Sequence, residues 1–533
     1  MKTNLDRWNP DDPGLWGPEQ RRIARRNLII SVPALLLAFA VWIMWGVLST
    51  QLRAHGFHFG LITPGMTPEA EEAAWSQIRL MYWTLPAIAG LSGATLRLPN
   101  SFLVALGGGR NVVFVNTALM LLPAIGAGLA LQNVATPYIV FAACALMSGL
   151  GGGAFSSSMS NISNFYPKKE QGLALGINAG VGNLGVGFMQ FVLPIVFGLF
   201  LFSAINAEGE VVRDVALTGV QNGGWFWVPL LAICATAAFL GMNNTVTGTP
   251  SLPSTGRGVW NTLYMLGIGF AASGVGAWLL IGLKWNMWIV LPIVILLSVA
   301  LMKYATPSAI RGNLNKQFSI LTDKHNWIMT IIYTMTFGSF IGYSAAFPLL
   351  SQDLFVYTDP TDSGFVNPNA PNFMLWAFVG PMLGALIRPV GGWLSDKIES
   401  GAVITQWTTI VQIASAIALA WIVIQVRGSE TPETWWWPFF GLFMVQFLAT
   451  GVANGSTFRT IPNIFDKATA GPVLGWTAAV GAYGSFLIPR IFGEQIKLGR
   501  AEYALYGFAA YYLLCLALNW WYYLGPKREY DKP

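Results

Sequence analysis

The sequence predicts an all-α membrane protein: two pseudosymmetric six-helix bundles with a two-helix hairpin inserted between them, fourteen spans in all. Three observations predict it. Of the 533 residues, 54% are hydrophobic and only 10% charged, and the mean hydropathy is +0.53. Soluble domains carry about 25% charged residues, and a soluble chain of this length divides into domains with charged surfaces. Here lipid must be the solvent for most of the surface. The second observation is a series of apolar stretches near the ~20 residues that a helix needs to cross a bilayer. The third is an internal repeat.

The elements follow in order. Residues 1–26 form an N-terminal tail ending in Arg21, Arg22, Arg25 and Arg26. The first span, 27–50, is too long, starts too late and lacks the small-residue site of a cleaved signal peptide. With 79–106, 112–132, 137–163, 172–203 and 225–244 it builds an N-terminal bundle over 27–245. The segment 51–78, with Glu69, Glu71 and Glu72, reads as an outside loop, as does 204–224. A linker, 246–326, holds the inserted hairpin 258–303 (spans 258–282 and 286–303, with Lys284 at its outer turn) and a basic loop with Arg311, Lys316 and Lys324. The C-terminal bundle covers 327–524 through spans 327–352, 373–395, 401–425, 435–458, 472–492 and 505–524. A tail, 525–533, carries Lys527, Arg528 and Lys532.

Short loops rich in Lys and Arg stay on the cytoplasmic side. Arg110, Lys168, Lys169, Arg311, Lys316, Lys324, Lys397 and Lys467 all fall on the side of the N-terminal arginines. Both termini are therefore expected in the cytoplasm of a bacterial cell, with the chain multi-pass in the inner membrane. The +6 net charge is mostly this bias and gives no reason to invoke nucleic acid.

The repeat is parallel. Gly93-Ala94-Thr95-Leu96-Arg97 matches Gly384-Ala385-Leu386-Ile387-Arg388, an offset of 388 − 97 = 291. Gly176-Ile-Asn-Ala-Gly-Val-Gly-Asn-Leu-Gly185 matches Gly475-Trp-Thr-Ala-Ala-Val-Gly-Ala-Tyr-Gly484 at an offset of 299, and Asn164 and Gly172 match Asn463 and Gly471 without a gap. Two related halves of this kind are a transporter signature.

Charge inside the membrane points to a site. Every Asp and Glu lies outside the spans as read here, and only Arg97 and Arg388 lie deep within them. A mid-membrane Arg costs about 2.5–3.5 kcal/mol and normally pairs with a carboxylate. Two arginines at equivalent positions would face each other across a central cavity, repelling when empty. A planar oxyanion relieves that repulsion, because guanidinium grips it through two parallel hydrogen bonds. The alternative is that each snorkels or bonds backbone carbonyls. Arg97 lies 13 residues before Arg110, about 20 Å along a helix and too far to snorkel.

Other residues join this reading. Asn183 places an amide in a Gly-rich helix, where it can donate to an anion; its repeat partner is Ala482. Gly176, Gly180, Gly182, Gly185 and Gly187, together with Gly172, suit close helix packing and rocking. Tyr333 and Phe337, four apart on one helical face, and Phe155, after the run Gly151-Gly152-Gly153, can flank a flat anion; each also serves as simple packing. Trp42 is the repeat equivalent of Tyr333. Cys144, Cys234 and Cys515 lie in apolar stretches without metal spacing, and His55, His58 and His325 lie outside the apolar runs, which leaves a haem-bearing subunit without ligands. No cofactor, metal site or catalytic constellation is read, so an enzyme is the least favoured class.

These motifs resemble the nitrate/nitrite porter family (NarK-type) of the major facilitator superfamily. The run Gly176-Ile-Asn-Ala-Gly-Val-Gly-Asn-Leu-Gly-Val-Gly187 is similar to that family's nitrate signature. Gly151-Gly-Gly-Ala-Phe-Ser-Ser-Ser-Met159, Phe165-Tyr-Pro-Lys-Lys-Glu-Gln-Gly172, Thr336-Phe-Gly-Ser-Phe-Ile-Gly-Tyr-Ser344 and Arg388-Pro-Val-Gly-Gly-Trp-Leu-Ser-Asp396 resemble the same family across both halves. The resemblance implies a major facilitator fold, nitrate and nitrite as the transported anions, and substrate contacts from Arg97, Arg388, Asn183, Phe155, Tyr333 and Phe337. Asp396 and Lys397 look like the superfamily's cytoplasmic latch. Two features depart from the pattern: Ala482 where many members have Asn, and the inserted hairpin. The mechanism expected is nitrate/nitrite antiport by alternating access, in a monomer. The alternatives are nitrate/proton symport, disfavoured by the lack of intramembrane Asp, Glu and His, and a non-transporting receptor or oxidoreductase scaffold.

Overall fold

The computed structural model describes residues 4–198, 204–205, 211–212, 219–249, 251–306, 318–358, 366–466, 469–531 and 533. Arg311, Lys316, Lys467, Lys532 and most of the loop 204–224 lie outside the described residues. Thirteen described helices are long and apolar enough to cross a membrane. They are α1 (Pro18–Ala54), α3 (Gly109–Ala130), α4 (Tyr138–Ser163), α5 (Lys168–Val196), α6 (Asn222–Gly241), α7 (Thr255–Ile281), α8 (Met287–Ala305), α9 (Lys324–Phe355), α10 (Phe373–Ile398), α11 (Gly401–Arg427), α12 (Pro432–Ile464), α13 (Ala470–Lys497) and α14 (Glu502–Leu524). The fourteenth, α2 (Pro68–Gly107), is 40 residues long.

Several helices outrun the apolar stretches that announce them. At 1.5 Å per residue α2 is about 60 Å long, twice the hydrocarbon core. Its polar first turns hold because Thr67 caps it, accepting from the Ala70 N–H, and because Glu69 and Glu71 lie against the positive end of the helix dipole. Asp323 caps α9 through the His325 N–H at 2.8 Å.

Helices α1–α6 and α9–α14 form the two bundles of a major facilitator fold. The hairpin α7–α8 lies along α2. A β-carbon added at Gly269 would meet Leu96 Cδ2 at 2.6 Å, and one at Gly276 would meet Leu91 Cδ2 at 2.9 Å. Trp260, Trp278, Trp285 and Trp288 project outward from the hairpin, as aromatic side chains do at a lipid boundary.

The helices alternate in direction, so one face of the molecule carries the start of α1 and the end of α14. On this end face Lys324 at the start of α9 pairs with Glu529 beyond α14 at 2.7 Å, and Trp8 donates to the Asn164 carbonyl between α4 and α5 at 3.0 Å.

The bundles touch from mid-depth to the opposite, far face. There Gln352 donates to the Thr50 carbonyl at 2.9 Å, and Trp83 and Phe492 pack 5.9 Å apart. Added β-carbons at Gly46 and Gly90 would collide with the backbones of Ala345 and Ser485. Between α5 and α10, Gly187 lies against Met382 and Phe191 lies 5.1 Å from Phe378.

Toward the end face the same helix faces separate. Two, three and four turns before Gly187, at Gly180, Gly176 and Gly172, an added β-carbon meets nothing within 4 Å, and the same holds at Gly475 and Gly471 on α13. Leu173, Ile177, Leu386, Val390 and Trp393 are exposed. The structure is therefore sealed at the far face and open toward the end face.

Candidate functional site

The floor of this opening is built around a local departure from α-helical geometry. Residues Thr334–Gly338 of α9 form a π turn, a feature that recurs at functional sites. It lies where Gly338 meets Gly481 and Gly484 of α13 so closely that no β-carbon fits. Phe337 lies in the turn and Tyr333 immediately before it, both almost fully buried, with rings 5.8 Å apart.

Arg97 approaches from α2. It is fully buried, and it donates through Nε to the Gly152 carbonyl at 3.0 Å and through Nη1 to the Ala478 carbonyl at 2.9 Å. Ala478 belongs to the other bundle, so one guanidinium joins the two. This is the backbone-carbonyl role weighed as the alternative, yet it uses only part of the group: among the described residues Nη2 is buried without a hydrogen-bond partner. The guanidinium carbon lies 4.8 Å from the Phe155 ring centre, 4.9 Å from Phe337 and 5.5 Å from Trp42, within cation–π range.

Arg388 approaches from α10. Its guanidinium carbon stands 4.3 Å from the Phe340 ring and 5.6 Å from Phe337, and its Nε and Nη2 are buried without partners among the described residues. Phe337 is thus the common neighbour of both arginines. Three buried guanidinium nitrogens stay unsatisfied in a low-dielectric setting, where each missing bond is costly. Convergent N–H donors over aromatic faces complement a small planar oxyanion.

The other expected residues are placed as follows. Asn183 is buried on α5, between the open Gly180 and the packed Gly187; its amide donates back to the Ala179 carbonyl at 2.7 Å, while its Oδ1 lacks a partner. One amide hydrogen is therefore already committed to its own helix. Trp42 also uses its N–H internally, on the Ala89 carbonyl at 2.8 Å. The signature glycines divide into two sets. Gly182, Gly185 and Gly187 are packed against Leu35, the Leu36 backbone and Met382, whereas Gly176 and Gly180 face open space. Asp396 and Lys397 lie in the last turn of α10 rather than in a loop. Asp396 pairs with Arg459 of α12 at 3.1 Å, and Lys397 instead stands 5.3 Å from the Trp393 ring.

The reading that no Asp or Glu lies within the spans needs correction. Asp353 forms a buried ion pair with Arg53 and accepts from Trp83 Nε1 at 2.7 Å, while Tyr357 covers Arg53 at 3.8 Å. Arg490, inside the span read as 472–492, is buried as well; it donates to Thr84 at 2.6 Å and to Glu494 at 3.1 Å. Both groups belong to helices that continue past the apolar stretches. They lie at the far face, with Asp353 16 residues and about 24 Å beyond Phe337 along α9. They clasp α1, α2, α9 and α13 and leave the two central arginines uncompensated. Phe340, three residues after Phe337, also escaped the sequence reading. Its aromatic character was visible, but its position under Arg388 was not.

No family model matches the chain. Among curated proteins it is 33% identical to the nitrate/nitrite transporter NarU of Salmonella typhimurium, covering 98% of this chain and 97% of that one. It is 34% identical to the probable nitrate/nitrite antiporter NarK2 of Thermus thermophilus, covering 100% and 98%. Among solved structures it resembles the major facilitator proton:xylose symporter XylE, with a TM-score of 0.56 at 11% identity over 96% of this chain and 98% of that one. A proton-dependent oligopeptide family transporter gives a TM-score of 0.58 at 12% identity, covering 92% and 99%. Those structures speak for the fold alone. The near-full-length relatives, at a third identity and with two membrane arginines at matching repeat positions, show that the chain belongs to the nitrate/nitrite transporter family of the major facilitator superfamily.

Proposed function

We propose that this protein exchanges nitrate for nitrite across the bacterial inner membrane by alternating access, as a monomer with both termini in the cytoplasm. On this reading the end face is cytoplasmic and the structure is the inward-facing state. The observation that carries it is the pair of guanidinium groups flanking Phe337, with three N–H-bearing nitrogens buried and unpartnered. Arg97 and Arg388 bind the anion between them, Phe155, Tyr333 and Phe337 wall it, and Asn183 borders it from α5. An empty site holds two like charges close together, which opposes closure of the cavity. A bound monoanion cancels part of that charge, so the loaded carrier closes and reverses faster than the empty one, and exchange outruns net flow. The two relatives are named for the same anions, the Thermus protein as a probable antiporter.

The test is anion flux in proteoliposomes loaded with nitrite. Nitrite release that requires external nitrate and ignores an imposed pH gradient is the expected result. Uptake into empty vesicles that follows the pH gradient would replace exchange with proton symport, and no flux of either anion would overturn the substrate.

A further inference from the structure

Asn454, in the middle of α12, is fully buried, and among the described residues neither its Nδ2 nor its Oδ1 meets a partner in hydrogen-bond geometry. A buried amide with both ends unsatisfied is rare and costly. Its surroundings are those of the anion site. The amide faces the Tyr333 side chain in a polar contact that falls short of full hydrogen-bond geometry, and the next residue, Gly455, is pressed against the Arg388 carbonyl.

The internal repeat gives the position a meaning. At an offset of 299, Gly152, Ala154, Ser157, Ile162 and Asn164 align without a gap with Gly451, Ala453, Ser456, Ile461 and Asn463. The packing repeats too: α4 meets α2 where Gly152 touches Gly93, and α12 meets α10 where Gly451 touches Gly384. In this register Asn454 is the counterpart of Phe155 (454 − 155 = 299), the residue whose ring covers Arg97. One arginine thus has an aromatic ring at this position and the other an amide. Asn183 breaks the symmetry in the opposite sense, since its counterpart is Ala482. Unlike Asn183, Asn454 commits no amide hydrogen to a backbone carbonyl among the described residues; its polar contact is the Tyr333 side chain.

We propose that Asn454 is a specificity-determining residue whose amide N–H binds the third oxygen of nitrate, the oxygen that nitrite lacks. The inference rests on the nitrate/nitrite reading above. Two guanidinium groups satisfy the two oxygens of nitrite, but a trigonal anion presents one more acceptor. A site that leaves that acceptor, and its own amide, unpaired discriminates against the anion. Asn454 supplies the missing donor when nitrate is bound and is left unsatisfied when nitrite is bound, so it biases the carrier toward nitrate.

The test compares full-length wild type with Asn454→Leu and Asn454→Asp in proteoliposomes, measuring KM and maximal rate for nitrate and for nitrite, with thermal unfolding of each purified protein. Leu matches Asn in size and removes two unpartnered polar atoms, so the melting temperature is expected to hold or rise. The nitrate KM is expected to rise about tenfold or more, the size of a hydrogen bond to a charged group, while the nitrite KM stays within about twofold. An equal change for both anions, or none, overturns the proposal. If the Leu variant does not fold, Asn454→Asp decides: a carboxylate here competes for Arg388 and should abolish flux of both anions, and wild-type kinetics in that variant overturn the proposal. Absence of nitrate and nitrite flux in the wild type itself would instead overturn the reading of function.

Discussion

Replacing Gly180 with leucine should leave the protein folded and stall it in one state. An added β-carbon at Gly180 meets nothing within 4 Å. The substitution also removes the roughly 0.8–1.0 kcal/mol penalty of glycine in a helix interior, so thermal stability should hold or rise. Yet Gly180 lies on the face of α5 that, two turns on, packs Gly187 against Met382 and Phe191 against Phe378. Closure of the end face must carry this contact along α5 to Gly180 and Gly176. A leucine caught there overpacks the interface by about 1–3 kcal/mol, in the closed state only. Spread over the transition, that slows exchange about 5- to 150-fold. The assay is nitrate-driven nitrite release from proteoliposomes. It is paired with maleimide labelling of a Leu173→Cys reporter, which should react faster in the Gly180→Leu background. Gly185→Leu is the contrast, because its β-carbon collides with the Leu36 backbone in the present state and should prevent folding. A Gly180→Leu protein that exchanges anions at the wild-type rate would refute the rocking of α5 against α10.

Arg388→Lys should fold normally, since Nε and Nη2 bond nothing among the described residues. It loses the parallel pair of hydrogen bonds to the anion, about 1.5–3 kcal/mol, and kcat/KM for nitrate should fall about 10- to 150-fold; wild-type exchange would show that two-point binding is not used. Asp353→Asn leaves Arg53 buried without its carboxylate, which should cost about 3–5 kcal/mol and open the far face. Combining Arg53→Met with Asp353→Leu should restore the melting temperature, and a single variant as stable as wild type would remove the pair from the seal. Asp396→Asn should change stability by no more than about 1 kcal/mol, because the Asp396 side chain is 74% exposed; a larger loss in thermal unfolding would make the Arg459 pair a true latch.

What could be read from the sequence was whatever rests on local chemistry. Lipid-length apolar stretches announce the spans because each helix must satisfy its own backbone in hydrocarbon. Arg97 and Arg388 stand out because a charge amid apolar residues is expensive wherever the chain folds. The repeat is a property of the chain itself, and it pairs those two residues whatever the fold. Span ends were less legible. Arg53 and Asp353 read as loop residues because each is unfavourable alone, and their partnership spans 300 positions in the chain.

The tertiary structure alone decided how these parts meet. Nothing near Ala478 in sequence marks its carbonyl as the acceptor of Arg97, and nothing near Asp396 points to Arg459 rather than Lys397. Phe337 lies within 5.6 Å of both guanidinium carbons because a π turn and glycine contacts bring α9 against α13. Asn183 and Asn454 look alike as amides in apolar helices, but only packing reveals that one donates to its own helix and the other faces the Tyr333 side chain beside the arginines. The same glycine run holds positions pressed against Leu36 and Met382 and positions facing open space. Composition and periodicity are local and fix which side chains exist and which face they share. The angle and depth at which two bundles of helices meet is a property of their whole surfaces, and that angle sets which glycines are closed, which face is sealed and which donors are left free.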